Sequence, residues 1–120
     1  MTQTIIEESK WYRGKGSKES MLLRQDGTMC CLGFDALRRG FSEKEILGVG
    51  SPSRLSGSVD NPKLRGLTEE DPVFIMAKAN TDIVSEIIQV NDDDRITDEQ
   101  RKSKLTELFQ RLDTEVVFVP

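Results

Sequence analysis

A chain of 120 residues has room for one domain around one core and too little for two. Hydrophobic residues are 36% and charged residues 32%, while Pro and Gly together hold only 13 positions, which argues for a polar globular chain over a disordered one. With no histidine and two cysteines, Ser–His and Cys–His nucleophilic machinery is excluded, and a zinc site would need carboxylates or a second chain.

No apolar run is long enough to span a membrane, and the opening Met1-Thr2-Gln3-Thr4-Ile5-Ile6 lacks the basic and apolar regions of an export signal. A cytoplasmic protein with reduced thiols and no membrane contact is therefore expected. The net charge of -4 is uneven. Residues 1–60 hold nine Lys/Arg against eight Asp/Glu, and residues 61–120 hold eight against thirteen. The acidic second half disfavours direct nucleic-acid binding, which needs clustered cations, and suits a basic protein partner.

In chain order, residues 4–6 read as a short strand and residues 10–20 as a loop. Asp26-Gly27 between the apolar runs 21–24 and 28–30 predicts a β-hairpin, since both turn residues tolerate positive φ. A helix follows over 31–39, with Cys30, Phe34 and Leu37 at i, i+4 and i+7, Arg38 and Arg39 in its last turn, and Gly40 beyond. Ser42 and Glu45 form the capping box of a short second helix ending at Gly48. Residues 48–72 are irregular, and 73–78 lean to helix.

A helix over 82–90 carries the apolar stripe Ile83, Val84, Ile87, Ile88. Asn91 to Asp94 ends it. Thr97 with Gln100 caps another helix, whose buried face is Leu105, Leu108, Phe109 and Leu112. Residues 115–119 form a terminal strand, apolar on both faces and so expected to be paired and covered. The expected fold is α+β: a single domain over 1–120 with a small antiparallel sheet and three or four helices packed on it.

Five constellations bear on chemistry. Cys30 and Cys31 read as small buried hydrophobes, because neighbouring helical positions point about 100° apart and a vicinal disulfide is strained. Gly14-Lys15-Gly16-Ser17-Lys18 lacks the spacing of a phosphate-binding loop. The surrounding segment still holds Lys10, Arg13, Lys15, Lys18 and Arg24 against Glu19 alone, with Trp11 and Tyr12 between them. Cations interleaved with aromatics can grip a nucleotide, so Lys10, Trp11, Arg13, Lys15 and Lys18 form a candidate ligand site; a solvated loop with Trp11 anchored in the core is the plainer reading.

Asp92, Asp94, Ile96 and Asp98 begin like a calcium loop, but Thr97 replaces the required glycine and Ser103 the final glutamate, so an EF-hand is rejected. The acids Asp92, Asp93, Asp94, Asp98 and Glu99 are instead the candidate surface for a basic partner. Paired-carboxylate hydrolysis needs two acids ~5–9 Å apart, and nothing in the sequence singles out a pair. No catalytic residue, metal ligand or cofactor is assigned.

Trp11 to Arg24, Asp26-Gly27-Thr28, the motif Met29-Cys30-Cys31-Leu32-Gly33-Phe34, Gly40 after the helix, Ile46 with Pro52 and Leu55 downstream, Asn91-Asp92, Arg101 and the final Val116-Val117-Phe118-Val119 resemble a group of small uncharacterised proteins of bacteriophages and prophages. The resemblance spans most of the chain, is most specific in the first third, and carries no assigned activity. It implies a phage-encoded, non-enzymatic protein that binds and inhibits a host protein. A counter-defence factor of the anti-CRISPR kind fits, since an acidic surface can occupy a channel built for nucleic acid. The alternative expectation is a module that binds or sequesters a nucleotide through residues 10–24.

Overall fold

The computed structural model describes residues 2–16, 20–50 and 81–120. Strand β1 (Thr2–Glu7) leads through a single 3-10 turn (Glu8–Lys10) and an irregular segment to α1 (Cys31–Arg38) and the one-turn helix α2 (Glu43–Ile46). Beyond residue 80 come α3 (Thr81–Asp92), α4 (Asp98–Gln110) and the terminal strand β2 (Thr114–Val119). The architecture is α+β. The expected helix at 73–78 and most of the irregular stretch 48–72 lie outside the described residues.

The sheet corrects one expectation: it is parallel, not antiparallel. β1 pairs with β2 in a register running from Thr2 opposite Thr114 to Glu7 opposite Val119. The two strands stand at opposite ends of the chain, so helical crossovers rather than a tight turn join them, and that connection permits parallel pairing. α1 packs on β1 and α4 on β2.

The Asp-Gly turn forms, but as a three-residue loop. Arg24 N donates to Thr28 O at 2.8 Å, and Gly27 N donates back to Arg24 O at 3.0 Å. Only Gly27 takes positive φ, +89°, in the manner of a type I turn closed by a left-handed residue. Asp26 Oδ1 accepts from Thr28 N at 2.9 Å and fixes the turn locally. The flanking runs do not become a regular hairpin, because each is recruited elsewhere: Met29 bridges to Trp11 and Leu23 to Leu47.

The helices follow local signals closely. Ser42 with Glu45, and Thr97 with Gln100, make reciprocal capping boxes. Gly40 sits at φ +102°, past the end of α1. α1 is buried at six consecutive positions from Cys31 to Ala36, so it is a central helix with no solvent face over that stretch. Its approach to the preceding segment depends on Gly33: a Cβ there would overlap the Leu22 carbonyl, standing 2.8 Å from its carbon, and lie 2.9 Å from Met29 Cβ. Around α1 pack Ile6, Trp11, Leu22, Phe41, Ile46, Val84, Ile87, Leu105, Phe109 and Val116.

Candidate functional site

The acidic candidates gather where α3 turns into α4, and the loop 11–16 builds that turn. A helix leaves its last carbonyls without intrahelical donors. Here Gly14 N donates to Asn91 O at 2.9 Å and Gly16 N to Asp92 O at 2.7 Å. Arg101 Nη1 adds bonds to Val90 O at 2.8 Å and Asp93 O at 2.7 Å, and its Nη2 reaches Ile96 O at 3.2 Å. These donors carry α3 two residues past the expected end at Val90. They also explain the Gly-Lys-Gly segment. Gly14 and Gly16 hold φ near +69° and +67° to aim their N–H groups at a helix terminus, and a Cβ on Gly14 would stand 2.8 Å from Arg101 Nη2.

Asn91 joins the two elements from inside. Its Oδ1 accepts from Trp11 Nε1 at 2.8 Å and Cys31 N at 3.0 Å. Its Nδ2 donates to Tyr12 O at 3.1 Å and Asp92 Oδ1 at 3.0 Å. All four hydrogen-bonding positions of the amide are used in a side chain that is fully buried. Neither Asn91 nor Arg101 is a site residue in the sequence reading, where both appear among the residues of the resemblance and Asn91 also marks a helix end.

The five acids do not present one uniform face. Asp92 is buried and holds the Asn91 amide. Asp93 is half-buried and accepts from Arg95 N at 2.9 Å and Arg95 Nε at 3.1 Å, which lower its carboxyl below the usual range. Asp98 accepts from Arg13 Nη2 at 3.0 Å and from Arg101 Nε at 3.3 Å, and the Arg13 bond is the main cause of its lowered pKa. Asp94 and Glu99 are exposed. Asp92, Asp93 and Asp94 line one side of a groove of about 520 Å³, with Gly16, Ile88 and Arg95 among its other walls.

The basic candidates are dispersed. Trp11 is 4% exposed, packed 5.2 Å from Phe118 and covered by the Arg13 guanidinium at 4.5 Å, so its ring is not a platform for a base. Arg13 is spent on Asp98 and on the carbonyls of Glu8 and Trp11. Lys10 is exposed, with Glu7 at 3.8 Å, and Lys15 is exposed. Lys18 lies outside the described residues. A separate groove of about 640 Å³ runs between the Asp-Gly turn and α2, with Lys10, Arg24, Asp26, Lys44 and Leu47 on its walls.

Cys30 and Cys31 are free thiols, both buried. Burial pushes the Cys30 thiol up to about 12 and the Cys31 thiol well above its ordinary value, opposite to what a nucleophile requires. Among the described residues no cluster of three Cys, Asp or Glu side chains is arranged to hold a metal ion, and no helix is long and apolar enough to cross a membrane. No family model, no curated protein and no solved structure matches the chain.

Proposed function

We propose that the chain is a non-enzymatic interaction protein, phage-encoded, that binds and inhibits a basic host protein, with a nucleic-acid-binding defence complex as the target class. The observation that supports this is the built turn between α3 and α4. Asp94 and Glu99 stand exposed there, beside Asp93 and Asp98, on a backbone fixed by Arg101, Gly14 and Gly16. Carboxylates on a prefixed backbone lose little entropy on docking, and an acidic rim meeting a basic groove steers association. The nucleotide reading has weaker support, because Trp11 and Arg13 are committed inside the protein.

The test is protection of an infecting phage. Expression of the chain in a bacterium carrying an RNA-guided defence raises plaque numbers. Asp94→Asn with Glu99→Gln lowers that protection while folding is kept. Equal protection by the double variant contradicts the acidic docking surface, and no protection across several defence systems contradicts the counter-defence role.

A further inference from the structure

We propose that the groove beside the α3–α4 turn seats one arginine side chain of the basic partner, its guanidinium on Asp92 and Asp94 and its stem along Ile88 and Val90. The inference rests on the docking reading above for the source of the arginine, and adds the chemistry that selects it. The groove of about 520 Å³ has room for a long side chain. Its walls carry three carboxylates against the single guanidinium of Arg95, and Ile88 and Val90 give them an apolar strip. An arginine stem packs on such a strip while its head stays polar.

Acidity alone does not make a seat; the deciding group is Asp92. It is 7% exposed, yet its side chain accepts one hydrogen bond only, at Oδ1 from the neutral Asn91 amide at 3.0 Å. Among the described residues nothing donates to Oδ2, and that oxygen is not sealed inside the protein; the groove is the cavity that Asp92 lines. Asp35 is the contrast. That buried carboxylate is complete in itself, accepting from Thr4 Oγ1 at 2.6 Å, Arg38 Nη2 at 2.9 Å and Arg39 Nε at 2.6 Å. Asp92 has no cation of its own, and a carboxylate so far withdrawn from water is stabilised by one. Asp94 Oδ2 stands 4.0 Å from where a Cβ on Gly16 would be, so the bare glycine keeps the approach open. Arg95 does not fill the groove: its Nε donates to Asp93 Oδ1 at 3.1 Å, but its side chain is 85% exposed. It lies on the rim and repels an incoming cation. A planar, weakly hydrated guanidinium can bridge two carboxylates, which a compact ammonium does less well.

Titration of the isotope-labelled whole chain with N-acetyl-arginine amide at constant ionic strength, followed by NMR, tests the seat. The amides of Gly16 and Asp94 and the Arg95 Nε–H should shift saturably, and N-acetyl-lysine amide should bind several-fold more weakly. Asp92→Asn keeps an oxygen for the Asn91 amide but removes the charge, and should weaken binding roughly tenfold. Arg95→Ala, at an exposed position, should tighten it several-fold. Glu115→Gln, an equal loss of charge at an exposed position of β2, should change nothing. Should Asp92→Asn not fold, Arg95→Ala and the lysine comparison decide. No saturable shift, equal binding of the two amides, or no tightening by Arg95→Ala overturns the seat. An arginine amide seated with no host protein retained supports the groove and removes the docking role. A host protein lost by the Asp94→Asn, Glu99→Gln variant with no amide seated overturns the groove alone.

Discussion

Trp11 Nε1 donates to Asn91 Oδ1 at 2.8 Å across 80 residues of sequence, and this bond ties the N-terminal loop to the end of α3. The Asn91 amide serves four partners from three segments of the chain, so its loss strands several buried groups at once. Asn91→Ala should destabilise the fold by about 2–4 kcal/mol, the sum expected for two or three unsatisfied buried groups. Asn91→Asp should cost at least as much, because its second oxygen would face the Tyr12 carbonyl and Asp92. Urea unfolding followed by the fluorescence of Trp11, the single tryptophan, measures both.

Gly33 is required by contact, not by φ. Since a Cβ there would overlap the Leu22 carbonyl, backbone rather than a flexible side chain must give way. Gly33→Ala should leave little folded protein, whereas Gly40→Ala, where open space surrounds the Cβ position but φ is +102°, should cost only about 1 kcal/mol. Circular dichroism melts of the two variants separate the mechanisms.

The paired thiols should behave as packing. Cys30→Ala or Cys31→Ala should cost about 1–2 kcal/mol through the cavity left behind and leave activity unchanged. In the native protein neither thiol should react with a thiol reagent until urea unfolds the chain. Because burial raises both folded-state pKa values, the unfolded chain alone ionises its thiols above the ordinary value of 9.0. Their contribution to stability is therefore intact below pH 9 and falls away as pH rises toward about 12.

Much of this architecture is local and was legible for that reason. The capping boxes at Ser42 and Thr97, the stop at Gly40 and the apolar faces of α3 and α4 each depend on residues within about two turns of one another. The parallel pairing of β1 with β2 was not legible, because strand direction is set by a partner far along the chain, which neither residues 2–7 nor the run 115–119, apolar on both faces, identifies. Gly14 and Gly16 could be read as a loop, but the helix terminus they satisfy lies at Asn91 and Asp92, far along the chain. The run Asp92 to Asp94 read as one charged surface for the same reason: Asn91 and Arg95 withdraw Asp92 and Asp93 from it to different degrees.

Asp98 gives an acid-side signature. The Arg13 hydrogen bond holds its folded-state pKa below the ordinary 3.8, so the stability it contributes is present above that value and is lost as pH falls through the lowered one. Asp98→Asn should flatten the loss of stability below about pH 4, and Arg13→Gln should do the same. The carboxylate is 48% exposed, so the effect is a change of slope in the urea midpoint against pH and not a collapse.

Capture from bacterial lysate tests the proposed docking of the α3–α4 turn on a basic protein. Tagged wild-type chain and the Asp94→Asn, Glu99→Gln double variant are loaded in parallel at stepped salt, and retained proteins are identified by mass spectrometry. One stoichiometric host protein is expected on the wild-type chain, released as salt rises, and retained several-fold less by the variant. A partner held equally by both chains, or no stoichiometric partner on the wild-type chain, would contradict it.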